Sequence, residues 1–146
     1  MYRSECVVAM EDACGSNNES SKELFDFDGY SAKYVSTECG YLHVAHSQEL
    51  GQFPSSKPVL LTFHDVGFNF RSNFESFFAN TKMRFILRRF NLLHVNAPGQ
   101  ELFAKMMFAS SDDQLGYPSL DQIANGIHQV VQHFGVNEFV GFGVSY

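Results

Sequence analysis

The chain has 146 residues, a hydrophobic content of 45% and a formal net charge of −6. This length and apolar content predict one globular domain, and we expect most of the sixteen phenylalanines to lie in its core. The acidic balance argues against nucleic acid as a partner, and no segment of the sequence has the apolar length of a transmembrane helix.

The first thirty residues are predicted to be a disordered tail. Residues 11–23 are polar and lack periodicity, so they cannot repay the entropy of ordering by burial. We therefore divide the chain into a tail at 1–30 and a domain at 31–146. Three cysteines, an odd number without a C-x-x-C pair, favour a reducing compartment.

The ordered part is expected to open with strands and a tight turn. Segments 33–37 and 41–46 are rich in β-formers and flank Gly40, which indicates a hairpin. Segments 57–64 and 92–95 are nearly continuous apolar runs of strand length. Such runs are typical of strands buried on both faces, as in a parallel sheet.

Helices are predicted between and after these strands. Ser72 and Glu75 form a capping-box pattern that opens one or two helices running to about residue 90. Ser119 and Gln122 form a second pattern, and apolar residues then recur on one helical face as far as Gly135. A last strand is predicted at 138–142.

The few basic residues cluster at helical spacing at Lys82, Arg84, Arg88 and Arg89. We interpret this cluster as a solvated helix face. Contact with a phosphate or an acidic lipid is the alternative.

The alternation of strands and helices predicts an open α/β sheet that is mostly parallel and covered by helices on both faces. Ligands of such sheets bind beyond the carboxyl ends of the strands, which places the search at 64–70, 96–100 and 141–146. The connection from 100 to 118 is long for this architecture and is a candidate lid or binding loop.

The last of these loops begins like a nucleophile elbow. Gly143 and Ser145 follow a strand with G-x-S spacing, which in a hydrolase presents the serine at the edge of the sheet. An ordinary serine in a strand-end turn is the simpler interpretation. Gly141 and Gly143 also open a dinucleotide fingerprint, but Tyr146 occupies the place of its third glycine, so no cofactor is expected.

The loop that begins at His64 corresponds in position to the oxyanion-hole segment of lipases. Gly67 would suit that role, but a fixed Asp65 carboxylate would repel the negative charge that such a site stabilises. The alternative is that His64 and Asp65 brace the loop by bonding to nearby backbone. His94 is predicted to be a packed core residue.

A metal site is not expected. His43 and His46 are three residues apart on a strand, and this odd spacing sends their side chains to opposite faces.

Three segments together resemble a known family. KPVLLTFHDVG at 57–67, FNLLHVNAPG at 90–99 and YPSLDQIA at 117–124 are similar to consecutive signatures of the N-myc downstream-regulated family. The resemblance runs from about Lys33 to the last residue. It implies the N-terminal half of an α/β-hydrolase-like domain, with an N-terminal β-hairpin and with the C-terminal half missing from this chain.

The same resemblance implies a cytoplasmic protein that acts in signalling, stress response and differentiation by binding protein partners, and a lipid or small ligand as a further class of partner. It implies no catalytic activity and no cofactor. The hydrolase-site loops would then be vestigial, with His64, Asp65, Gly67, Asn96, Gly99, Gly141, Gly143 and Ser145 as their residues.

This sequence departs from the family pattern at two of those residues. Ser145 occupies a position where the family usually has glycine, and Asn96 occupies one where it usually has aspartate. The first departure motivates an alternative function, a serine hydrolase with Ser145 as nucleophile and its histidine and carboxylate in the C-terminal half. A third interpretation is an incomplete product whose 138–142 strand exposes an apolar edge.

Overall fold

A computed structural model describes residues 30–51, 57–104 and 116–145. The predicted tail, except Tyr30, and most of the 100–118 connection lie outside these residues. The elements are β1 Tyr30–Thr37, β2 Gly40–Ser47, a 3-10 turn Gln48–Gly51, β3 Val59–Phe63, α1 Phe70–Ala79, α2 Thr81–Leu87, β4 Asn91–Val95, α3 Leu120–His133 and β5 Phe139–Gly143.

The five described strands form one mixed sheet in the order β1-β2-β4-β3-β5. β1 and β4 are each antiparallel to β2, while β3 is parallel to both β4 and β5. Four strands therefore run in one direction and β2 runs against them. This confirms the predicted mostly parallel sheet with an N-terminal hairpin.

Helices cover both faces of the sheet, as predicted. On one face Leu93 and Val95 of β4 belong to a core cluster with Val130 of α3. On the other face Leu92 belongs to a cluster with Phe74 of α1. Neighbouring residues of a strand point to opposite faces, so β4, buried along its whole length, supplies both cores. None of the described helices is long and apolar enough to cross a membrane.

The first strand is longer than predicted. β1 begins at Tyr30, three residues before the predicted start and inside the predicted tail. The Tyr30 ring packs against His94, with 5.3 Å between ring centroids, and its backbone pairs with Ser47. This long-range packing is not visible in the local sequence. The predicted turn is confirmed, with Gly40 at φ +102°, a value that glycine adopts without strain.

The start of α1 was predicted wrongly. Asn69 is the N-cap, and its side chain accepts a hydrogen bond from the Ser72 amide, so Ser72 occupies the third helical position. Asparagine is as good a cap as serine, so the helix begins three residues earlier than the Ser72 pattern indicates. The Ser119 and Gln122 capping box of α3 is confirmed.

The expectation that most phenylalanines lie in the core holds for the described residues, since seven of the twelve belong to the two core clusters or pack against them. Phe70, Phe74, Phe78 and Phe134 are buried. The exposed rings are Phe68, Phe77, Phe85, Phe103 and Phe139. Several of these lie on loops or helix faces that no described element covers.

Candidate functional site

Three strand ends meet at the carboxyl edge of the sheet. The parallel register aligns Phe63 of β3 with Val95 of β4 and Gly143 of β5. The Val144 amide then donates to the Phe63 carbonyl over 3.3 Å, which holds the β5 loop beside the β3 loop. The loops predicted to carry function therefore lie together, and this edge is the candidate functional site.

His64 braces two of these loops. Its Nδ1–H donates to the Asp65 carbonyl (2.8 Å), and its Nε2 accepts from the Ala97 amide (2.9 Å). The side chain is buried, and this burial lowers its pKa. Because both ring nitrogens are engaged in backbone bonds, the imidazole is neutral and has no free lone pair with which to take a proton.

The backbone amides of the loop at 65–70 are all bonded inside the protein. The donors and their acceptors are Asp65 to Asn73 Oδ1 (2.7 Å), Val66 to Asp65 Oδ1 (2.7 Å), Gly67 to Gln100 Oε1 (3.0 Å), Phe68 to the Asp65 carbonyl (3.1 Å), Asn69 to Ser72 Oγ (3.0 Å) and Phe70 to Asn96 Oδ1 (2.8 Å). An oxyanion hole needs free amide donors at this position. This loop offers none.

Asp65 accepts several of the hydrogen bonds that engage this loop. Its carboxylate accepts from the Val66 amide, and its carbonyl accepts from both Phe68 and His64. In a hydrolase of this architecture the corresponding loop stabilises an oxyanion, and a carboxylate on that loop would repel the negative charge.

Asn96 joins the end of β4 to two neighbouring elements. It is fully buried, and its Oδ1 accepts from the Phe70 amide in the first turn of α1. Its Nδ2 donates to His43 Nδ1 over 2.8 Å. Burial lowers the pKa of His43, with Glu101 acting in the opposite direction and Arg71 in the same direction. The sequence analysis missed the His43–Asn96 pair because 53 residues separate its members.

Gln100 links the β3 loop to the start of α3. Its Oε1 accepts from the Gly67 amide, and its Nε2 donates to the Tyr117 hydroxyl over 2.8 Å. Around this bridge the edge carries exposed apolar side chains, namely Val66, Phe68, Leu102, Phe103 and Tyr117. Phe103 is 94% exposed and adopts φ 63°, in the left-handed region that disfavours non-glycine residues.

Ser145 lies just past β5 with φ 70°, and it is exposed. A serine in the left-handed region after a strand matches the strained turn of a nucleophile elbow better than it matches an ordinary turn. Gly143 and Gly141 precede it in β5, and a Cβ at either would meet no atom closer than 3.9 Å. Gly99, at φ 69°, forms the turn after β4.

The histidines considered as metal ligands are separated by the sheet. His46 packs its ring edge-on against Phe134 on the α3 side, whereas His43 bonds Asn96 on the other side. Within the described ranges, no three His, Cys, Asp or Glu side chains are grouped so as to hold a metal ion.

His94 belongs to the core and not to the edge, as predicted. Its ring is fully buried and stacks on Phe70 with 5.0 Å between centroids. Nδ1 lies 2.6 Å from the Thr62 hydroxyl, and Nε2 has no hydrogen-bond partner in the described structure. Burial lowers its pKa to about 3, so the ring is neutral.

A helix-covered, mostly parallel sheet whose strand-end loops gather at one edge defines an α/β-hydrolase-like protein. The family model described as Ndr family matches residues 32–146. The chain belongs to this family, the N-myc downstream-regulated family of the sequence resemblance.

Among curated relatives, Protein NDRG3 of Xenopus tropicalis is 36% identical over 126 residues, which are 86% of this chain and 30% of the relative. Protein NDRG4-B of Xenopus laevis is 36% identical over 111 residues, which are 76% of this chain and 28% of the relative. The chain thus spans less than a third of each relative.

Among solved structures, the crystal structure of naproxen esterase (carboxylesterase NP) from Bacillus subtilis superposes with a TM-score of 0.49 and 18% identity, over 80% of this chain and 34% of the esterase chain.

Proposed function

We propose that this Ndr-family chain is a non-catalytic α/β-hydrolase-like protein that recognises a protein partner through its carboxyl edge. The observation that carries the proposal is the bonding of the six amides at 65–70 to acceptors inside the protein. Opening an oxyanion site would break those bonds, and each lost bond leaves a polar group to be satisfied again. The Asp65 carboxylate adds charge repulsion.

Exposed apolar side chains support recognition at the same edge. Val66 and Phe68 lie on the β3 loop, Leu102 and Phe103 follow β4, and Tyr117 precedes α3. Gln100 bonds both Gly67 and Tyr117, so the loops that display these side chains are held together before binding. Preorganised apolar and aromatic groups are what protein interfaces use as anchors.

The proposed setting follows from the family. We place the protein in the cytoplasm and assign it to signalling, stress response and differentiation, with binding as its mode of action. Its partners are proteins in the first place, and a lipid or small ligand is the second class. No cofactor enters this proposal.

Affinity capture from cytosol, using the full-length protein, tests the recognition surface. The variant Val66→Asp/Phe68→Asp places two charges on the β3 loop and should lower recovery of bound partners by about tenfold or more. The matched control Phe85→Asp/Ile86→Asp adds the same charges to α2, at the opposite edge of the sheet, and should leave recovery unchanged. Equal recovery by both variants, or equal loss, would contradict the proposal.

A serine hydrolase is the second candidate, and the positive φ of Ser145 favours it. In that reaction the Ser145 hydroxyl would add to an acyl carbonyl and pass its proton to a histidine. His64 cannot serve, because both of its ring nitrogens are bonded to backbone. The base and its carboxylate would have to come from outside the described residues.

A fluorophosphonate probe distinguishes the two candidates. It reacts with an activated serine and should leave the full-length protein unlabelled if the edge only binds. Labelling that disappears in Ser145→Ala and persists in the control Ser119→Ala would establish the hydrolase and overturn our ranking.

A further inference from the structure

The outer surface of α2 and the two residues that follow it concentrate positive charge in an acidic chain. Lys82, Arg84, Arg88 and Arg89 are all exposed, and they are four of the ten lysines and arginines in the sequence. We call this surface, together with the exposed Phe85 and Ile86, the basic α2 face. It precedes Asn91, the first residue of β4, and so lies at the edge of the sheet opposite to the candidate site.

The helix geometry places an aromatic ring in the middle of these cations. Met83 is partly buried and Leu87 is buried, so they mark the side of α2 that faces the core. At 100° per residue, Phe85 points in the opposite direction. Within α2, Arg84 flanks it on one side and Lys82 on the other, while Arg88 and Arg89 follow the last helical residue. Phe85 is 63% exposed and Ile86 is 46% exposed.

Among the residues that the structure describes, no acidic side chain forms an ion pair with these cations. Within the described ranges, the ion pair recorded is Lys57 with Glu49. The Arg89 guanidinium instead lies over the Phe85 ring, 5.2 Å from its centroid. The charges are therefore available to an external anion, and the apolar side chains beside them have no described cover.

We propose that the basic α2 face docks the protein on an anionic lipid bilayer. Phe85 and Ile86 would enter the boundary between headgroups and acyl chains, while the flanking cations contact lipid phosphates and carboxylates. Interfacial helices combine apolar and cationic side chains in this way. The remaining acidic charge of the protein opposes approach only weakly, because salt screens it beyond about 8 Å.

A bilayer fits this surface better than a nucleic acid does. Binding of a nucleic acid requires a basic stripe that follows the sugar-phosphate backbone of the nucleic acid. In contrast, α2 is a helix of seven residues with an apolar centre. The docked orientation would leave the carboxyl edge free, so this bilayer contact is separate from the partner recognition proposed for that edge. Partner capture and membrane binding can fail independently of each other.

Vesicle sedimentation of the full chain tests the proposal. Vesicles of phosphatidylcholine containing phosphatidylserine should bind the protein, and phosphatidylcholine alone should not. Each cation removed should lower the partition coefficient about fivefold, so Arg84→Gln/Arg88→Gln should lower it about 25-fold. Phe85→Ser should weaken binding while leaving its salt dependence in place, because the charges remain.

The control Lys57→Gln/Arg71→Gln removes the same charge elsewhere and should leave binding within about twofold of the parent. Circular dichroism of each variant establishes that it is folded. Absence of binding to phosphatidylserine vesicles, equal binding to phosphatidylcholine alone, or equal loss in the control variant would overturn the proposal.

Discussion

His94 is a buried imidazole whose protonation the fold does not tolerate. Its ring packs among Phe70, Phe78 and Tyr30, with Thr62 as its polar contact. Burial lowers its pKa from 6.5 to about 3 in the folded state. Between these values the unfolded chain binds a proton that the folded chain does not. The stabilisation is therefore complete above about pH 6.5 and is lost as the pH falls toward 3.

We expect the variant His94→Leu/Thr62→Val to lose the uptake of one proton that accompanies unfolding in the parent protein. The slope of unfolding free energy against pH should fall by up to about 1.4 kcal/mol per pH unit between pH 6 and pH 4. Thr62→Val alone keeps the imidazole and should keep the slope. Urea unfolding at several pH values measures it, and an unchanged slope in the double variant would show that His94 does not titrate with unfolding.

Asn96, at the end of β4, donates a hydrogen bond to His43, which can accept it only while the imidazole is neutral at Nδ1. In Asn96→Asp the carboxylate can still accept from the Phe70 amide, but toward His43 it needs an N–H on Nδ1, and its negative charge favours the protonated imidazole. That pairing raises the pKa of His43 in the folded variant, with Glu101 adding to the effect and Arg71 opposing it. A raised pKa stabilises at low pH and is lost as the pH rises.

The variant Asn96→Asp should therefore be destabilised by about 1–3 kcal/mol more at about pH 9 than at about pH 6. Asn96→Ala removes the same bonds and lacks the charge, so its loss of stability relative to the parent should vary little over this range. Denaturant unfolding at the two pH values makes the comparison. A loss in Asn96→Asp that does not grow with pH would contradict the pairing.

At the scale of elements, α3 is held against the β1–β2 hairpin at Gly126. A Cβ built there lies 2.7 Å from Cys39 Sγ and 3.1 Å from Leu42 Cδ1. Alanine normally favours a helix over glycine by about 1 kcal/mol, and overpacking costs about 1–3 kcal/mol. We expect overpacking to win, so Gly126→Ala should destabilise by about 1 kcal/mol.

A second substitution at Cys39 should relieve this close contact. In a Cys39→Ala background the nearest atom is removed, and Gly126→Ala should become neutral or stabilising by up to about 1 kcal/mol. A double-mutant cycle from thermal unfolding gives the coupling. If the effects of Gly126→Ala and Cys39→Ala on stability were additive, the two positions would not be in contact, which would contradict this prediction.

The elements were mostly predictable because their signals are local. Apolar runs predicted β3 and β4, and the Ser119 capping box together with one apolar face predicted α3. Apart from the local Asn69 cap of α1, the errors occurred where contacts between distant parts of the chain decide the outcome. Tyr30 is ordered by packing on His94, and Phe85 and Phe103, two exceptions to the burial expected of phenylalanines, are exposed because no described element covers them.

At the scale of the molecule, the candidate site could be located from the sequence but its chemistry could not. Parallel strands placed the loops after Phe63, Val95 and Gly143 at one edge. The bonds that close this edge join residues far apart in the chain, such as Gly67 with Gln100, which are 33 residues apart. Periodicity and motif spacing carry no information about such pairs.

The proposed recognition function rests on the bonding of the amides at 65–70 to acceptors inside the protein, which leaves none of them free for a reacting carbonyl. Residue-resolved amide hydrogen exchange of the full-length protein tests this directly. We predict that the Val66, Gly67 and Phe70 amides exchange far more slowly than unstructured chain. Gln100→Ala should release Gly67 and leave Phe70 protected. Exchange of Val66 and Gly67 in the parent protein at the rate of an unfolded peptide would contradict the account and reopen the edge to catalysis.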